Sequence, residues 1–299
     1  VEILSHTISD GLKEMLKAQT PKGSLSYRAI RRSLGAVGLI KAWEYLSSYY
    51  LWRAFPLNGR DHRLFQIVGV PRSGTTLLCA LLASHSKVIC LSEPYHQWKY
   101  DGFVDTTDFS ELLGSKVWKK HPGLLVKQIC IKEKNKLIGF KEIYYSHSHG
   151  HYSNHYFFKR NHTNGVLTIG IIRDPREIWK SLIQKRPEKK GKLTVKFTES
   201  WNDLVRWILD SNIFHVRYEE LLNETSESLR KVCDYLNIKF EQYMINPKPL
   251  RGRGDKNARG GIPVVKNKIN EYERYLSEDE ILNIEKYCGS EMKKLGYLK

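Results

Sequence analysis

Cysteine is scarce in this chain: five residues among 299, at positions 79, 90, 130, 233 and 288, an odd number with no C-x-x-C pair. That scarcity excludes a disulfide framework and a zinc-ligand pattern, and it makes a reducing compartment the default. No uninterrupted apolar run approaches the roughly 18 to 20 residues that a spanning helix needs, and the N-terminus lacks a signal peptide's apolar stretch. The expectation is a soluble, cytoplasmic protein. Acidic residues are also short: 32 Asp and Glu against 49 Lys and Arg leave a formal charge of +17. Such a surface favours anions, whether nucleotides, phosphate or sulfate esters, acidic polymers or acidic lipid. Apolar residues, by contrast, make up 41% of the chain, enough for a sizeable core and enough to exclude disorder for most of its length.

Residues 1–60 read as a basic, helical region leading into the aromatic-rich run at 39–55. A basic helix of that kind could contact a membrane surface. The near-helical spacing of Leu39, Trp43, Leu46, Tyr50 and Trp52 favours core packing instead. From residue 61 to 299 the pattern is that of one α/β domain. LFQIVGV (64–70), GVLTIGII (165–172) and NIFHVRY (212–218) are short apolar runs, each followed by a helical pattern. Strands alternating with helices predict a three-layer fold, a central parallel sheet with helices on both faces. Ser277 stands three residues before Glu280, a capping-box start for the last helix. Segments 186–192 and 248–268 read as basic loops, the second also Gly-rich. Solvated linker and closure over a phosphate are rival readings of it.

GVPRSGTT (69–76) places Gly69 and Gly74 at the spacing of a nucleotide-binding P-loop, between a strand and a helix. Successive backbone N–H groups and a helix N-terminus there make a cradle for a tetrahedral oxyanion. Thr75 occupies the position of the P-loop Lys, and Asp174 follows Arg173 instead of ending a strand as a Walker-B Asp would. Both departures argue against magnesium-assisted nucleotide hydrolysis. A sulfuryl group carries less negative charge than a phosphoryl group, so fixed donors and side-chain cations can serve its transfer without a metal.

PRSGTT (71–76), IIRDPREIWKS (171–181) and VRYEEL (216–221), taken together and in this order, resemble the sulfotransferases that use PAPS, phosphoadenosine phosphosulfate. The resemblance implies that Arg72, Ser73, Gly74, Thr75 and Thr76 hold the 5′-phosphosulfate, that Arg173 and Ser181 meet on the 3′-phosphate, and that Tyr218 sits near the nucleotide. RGRGDKN (251–257) is similar to a shortened form of the family's C-terminal motif, which carries over Arg251, Arg253 and Gly254. The co-product would be adenosine 3′,5′-bisphosphate, with no metal involved.

Transfer to an alcohol needs a base for the hydroxyl proton and cations on the leaving bridging oxygen. The His that the cytosolic branch places two residues after its Lys is missing, because Ile143 follows Lys141 at that offset. The tyrosylprotein and carbohydrate branches instead place a Glu 21 residues after the loop Arg. Here that offset leads from Arg72 to Glu93, in CLSEPYHQW, which is similar to the Golgi carbohydrate branch. Glu93 is therefore the candidate base, with Lys141 and Arg72 on the leaving oxygen. Read alone, Glu93 is an ordinary surface carboxylate and Lys141 a surface Lys at a strand end. The resemblance to a Golgi branch also makes a lumenal catalytic domain, its anchor removed, the alternative to a cytoplasmic location.

HSHGHYSNH (147–155) reads as an irregular insertion beside the acceptor. His151 and His155 are four apart, but no carboxylate or Cys completes a metal set. Asn161 and Asn223 begin glycosylation sequons, which matter only in the secretory pathway. The leading expectation is sulfuryl transfer from PAPS to a hydroxyl on a carbohydrate, a phenol or tyrosyl group, or a lipid alcohol. Its rivals are a P-loop kinase or NTPase and a basic polyanion binder. No helix-turn-helix, RRM or zinc-finger pattern supports nucleic acid as a partner.

Overall fold

A computed structural model describes residues 63–101, 104–105, 117–118, 122–146, 154–193, 195–250, 254, 256, 260–261 and 271–299. The N-terminal region expected to be helical lies outside the described residues. The described chain runs β1 (Leu64–Gly69), α1 (Thr75–Ala83), β2 (Val88–Ser92), α2 (Pro94–Asp101), β3 (Val104–Asp105), β4 (Val117–Trp118), α3 (Pro122–Lys132), β5 (Leu137–Ile143) and α4 (His155–Thr163). It continues through β6 (Leu167–Ile172), α5 (Pro175–Lys185), α6 (Val195–Asp210), β7 (His215–Arg217), α7 (Tyr218–Asn223), α8 (Thr225–Tyr235) and α9 (Glu278–Lys294).

Five strands form one parallel sheet in the order β2-β5-β1-β6-β7, while β3 and β4 make a separate antiparallel pair. Alternation along β1 separates the two faces. Leu64 and Val68 join a core built with side chains of α2 to α6 and α9; Phe65 and Ile67 join a second core with α1, α7 and α8. Both faces of the sheet are thereby covered, which is why its strands read as continuous apolar runs. Gln66, a polar exception in β1, is buried and satisfied: its Nε2 donates to the Phe158 carbonyl and to Thr168 Oγ1, both at 3.0 Å, and its Oε1 accepts from Asn161 Nδ2 at 3.0 Å. The side-chain amide of the first sequon is thus spent inside the fold.

Three local expectations change. The strand expected over 212–218 shrinks to β7, because Asn212 takes a left-handed φ of 48° and the Ile213 amide closes back on the Ile208 carbonyl at 2.9 Å. The single helical pattern after it divides into α7 and α8 at Glu224, whose φ of −127° and ψ of 50° leave the helical region. The His-rich segment, expected to be irregular, enters α4 at His155; there Phe157, Phe158 and Asn161 face inward, a helix face built for the core. Residues 147–153, His151 among them, lie outside the described residues.

Candidate active site

With parallel strands, every strand's carboxyl end opens on the same edge of the sheet, and β1 lies where the strand order reverses, the usual place for a ligand crevice. Five segments converge there: the loop after β1, the residue after β2, the end of β5, the residue after β6 and the start of α7.

The loop from Val70 to Gly74 turns sharply. Arg72 and Gly74 adopt φ of 71° and 98°, and Ser73 ties back to the Val70 carbonyl through its amide at 3.2 Å and its hydroxyl at 2.8 Å. Gly74 caps α1 without a side-chain hydrogen bond, so the helix N-terminus is left to the loop. Only glycine fits: a Cβ at Gly74 would stand 2.3 Å from Tyr218 Cδ2, and one at Gly69 would stand 2.4 Å from Ser73 Oγ. Thr75 and Thr76 open α1, both buried.

Arg173 leaves β6 and Asp174 caps α5 by accepting from the Arg176 amide, with Pro175 at the first helical position. The Asp174 carboxylate also takes three guanidinium contacts from Arg176, between 2.7 and 3.2 Å, in addition to its helix-cap bond. Arg173 lies over the Tyr218 ring, Cζ 4.2 Å from its centroid, and its Nη1 donates to the Arg72 carbonyl at 3.1 Å. Arg72 Nε in turn donates to Ser181 Oγ at 2.9 Å. The two halves of the expected nucleotide grip are therefore stitched together, and the Arg173 Nε–H is buried with no hydrogen-bond partner among the described residues. A buried polar N–H without a partner is uncommon in a folded protein, and this one lies beside the turning loop after β1.

Glu93 follows β2 in a left-handed conformation, φ 52°, and its amide donates to the Lys141 carbonyl at 2.8 Å. Lys141 and Glu93 also pair through their side chains. Both are buried, Lys141 completely, so neither is the surface residue that composition alone suggests. Gly254 closes on the same spot: at φ 134°, a Cβ there would lie 2.6 Å from Thr76 Oγ1 and 3.3 Å from Lys141 Nζ. Arg251 and Arg253 lie outside the described residues.

The sulfotransferase-domain family model matches residues 63–296. The chain belongs to the sulfotransferase family. Among its relatives, a Caenorhabditis briggsae protein provisionally named a protein-tyrosine sulfotransferase is 24% identical over 235 residues, 70% of this chain and 78% of that protein. Sulfotransferase 2A2 of Rattus norvegicus is 26% identical over 114 residues, covering 32% of this chain and 40% of the rat protein. The sulfotransferase domain from the curacin biosynthetic pathway shares the fold at a TM-score of 0.52 and 16% identity, over 81% of this chain and 99% of that one.

Two further buried carboxylates of this sulfotransferase stand beside the site residues, outside the quoted family motifs or unassigned within them. Glu142, next to Lys141 but on the opposite face of β5, accepts from the Tyr95 and His96 amides at 2.7 and 3.3 Å and so caps the helix that Glu93 begins. Burial, with the Glu93 charge adding to it, pushes the Glu142 carboxyl well above the usual range. Glu177 lies four residues after Arg173, a helical spacing that marks a salt-bridge partner once α5 is recognised. Among the described residues no group of three or more His, Cys, Asp or Glu could hold a metal ion, and no helix is long and apolar enough to cross a membrane.

Proposed function

We propose that this sulfotransferase moves the sulfuryl group of PAPS to a hydroxyl acceptor by in-line displacement, with Glu93 as the general base. The buried Glu93–Lys141 pair, set beside Thr76 of the loop and under Gly254, carries the reading. The acceptor oxygen attacks sulfur as the bond from sulfur to the bridging oxygen breaks. Glu93 takes the hydroxyl proton, and the electron pair of the broken bond stays on the bridging oxygen of the departing adenosine 3′,5′-bisphosphate. Lys141, already against Glu93, is the cation placed to shift towards that oxygen, with Arg72 assisting.

The loop amides with Ser73, Thr75 and Thr76 hold the 5′ end, and Arg173 with Ser181 the 3′-phosphate, Tyr218 backing the guanidinium. Arg251 and Arg253 are assigned to the same nucleotide on motif similarity. The name of the C. briggsae relative supports a tyrosyl phenol as acceptor, and the Glu93-Pro94-aromatic segment supports a carbohydrate hydroxyl. A lipid alcohol completes the set to be screened.

Calorimetry with adenosine 3′,5′-bisphosphate tests the nucleotide assignment: micromolar binding by the wild type that disappears in Arg173→Ala is expected. Hydroxyl compounds of the three classes are then screened with radiolabelled donor. A wild type that ignores the bisphosphate and binds magnesium ATP instead would overturn the proposal.

A further inference from the structure

Glu177 occupies the first turn of α5, only 1% exposed, and its two carboxylate oxygens serve four donors. Oε1 accepts from the backbone amides of Glu271 and Tyr272 at 2.7 and 3.0 Å. Oε2 accepts from Arg173 Nη2 at 3.1 Å and Lys180 Nζ at 2.6 Å. Lys180 reaches Glu271 Oε2 as well, at 3.2 Å. Because Oε1 is tied to main chain, Oε2 sits at a fixed point, and the guanidinium that bonds to it loses its freedom to rotate.

Three contacts then define the attitude of Arg173: Nη2 on Glu177, Nη1 on the Arg72 carbonyl, and the ring of Tyr218 against its plane. Of the N–H groups that these contacts leave over, the Nε–H is buried and meets no hydrogen-bond partner among the described residues. The ion cluster itself is close to neutral, since Arg173 and Lys180 face Glu177 and Glu271. Apart from the charge of the neighbouring Arg72, this cluster attracts a second phosphate weakly, so the direction of its donors matters for selectivity.

We propose that Glu177 is a positioning residue that gives the Arg173 subsite its preference for a nucleotide bearing a second phosphate. This rests on the PAPS reading above and deepens it. An amide at 177 cannot replace the carboxylate, because its NH2 group must face either two cationic donors or two backbone N–H groups.

The test measures binding of adenosine 3′,5′-bisphosphate and of adenosine 5′-monophosphate, which lacks the second phosphate, to wild type, Glu177→Gln and Arg173→Ala. Glu177→Gln is expected to lose about tenfold or more of the preference for the bisphosphate, equivalent to about 1.4 kcal/mol, while monophosphate affinity stays within about twofold. Equal losses for both ligands would mean that Glu177 only supports the fold, and an unchanged preference would mean that Arg173 needs no guide; either overturns the proposal. Should Glu177→Gln fail to fold, Glu177→Asp keeps the charge but shortens the reach by one methylene, and retention of the full preference there is the overturning result. A wild type without any preference, matched by Arg173→Ala, would instead remove the PAPS reading itself.

Discussion

Lys141 and Glu93 meet as a buried ion pair between adjacent parallel strands, where the Ser92–Lys141 register brings the ends of β2 and β5 side by side. Removing one partner of a buried pair leaves the other charge uncompensated, which costs roughly 3–5 kcal/mol. Lys141→Met is therefore expected to lose stability of that order, and adding Glu93→Gln is expected to restore part of it. Denaturant unfolding of the two single variants and the double variant measures the coupling.

On the proposed mechanism, Glu93→Gln removes the proton acceptor, and it also leaves the buried Lys141 ammonium unpaired. Turnover is expected to fall by about 10² to 10⁴, the usual worth of a general base, while adenosine 3′,5′-bisphosphate still binds. Full turnover in the variant would place the base elsewhere.

Gly74→Ala should be more damaging than an ordinary loop substitution. A left-handed backbone costs an L-residue roughly 1–2 kcal/mol, and here the new methyl also meets Tyr218 Cδ2 at 2.3 Å. Adding Tyr218→Ala is expected to recover stability by removing the clash, but not nucleotide affinity, because Tyr218 backs Arg173. Thermal melting and calorimetry on the same samples separate the two effects.

Glu142 predicts a pH signature. Its folded carboxyl is held well above the ordinary range, first by burial and then by the Glu93 charge. The unfolded chain releases this proton near pH 4.3. Above that pH the folded state retains a proton that the unfolded state has lost, so stability falls as pH rises towards the folded value. Glu142→Gln can still accept from the Tyr95 amide and has nothing to titrate. It should exceed the wild type in unfolding free energy at pH 8, with the advantage shrinking towards pH 4. A constant difference across that range would contradict the buried-carboxyl account.

Metal chelation separates the family's chemistry from that of a P-loop NTPase. With Thr75 in place of the loop Lys and the Asp174 carboxylate occupied by Arg176, the proposed transfer should continue in EDTA. Loss of turnover with restoration by magnesium would favour the kinase reading.

Much of this site is local in the chain. β1, the turning loop and α1 are contiguous, and Gly69, Gly74 and the absent Lys are visible in eight residues. Arg173 and Pro175 announce a strand end and a helix start in the same way, and the Ser277–Glu280 box forms as its spacing predicts. Periodicity fared worse where tertiary packing took over. β7 is short because Asn212 and Ile213 finish α6, and α4 forms because Phe157 and Phe158 find a core that no window of the sequence displays.

What the amino-acid sequence determined by itself was the class of fold and the residue types of the turning loop after β1, because strand-loop-helix patterns and glycine spacing obey short-range sterics. What only the tertiary structure decided was partnership between distant parts of the chain: that Glu93 faces Lys141, that Glu142 caps the helix following Glu93, and that Glu177 accepts from the Glu271 and Tyr272 amides. Those contacts join residues from separate strands, or depend on burial that fixes a side chain's direction. Burial comes from how parallel strands are ordered in a sheet, and strand order is not written in any local stretch of chain.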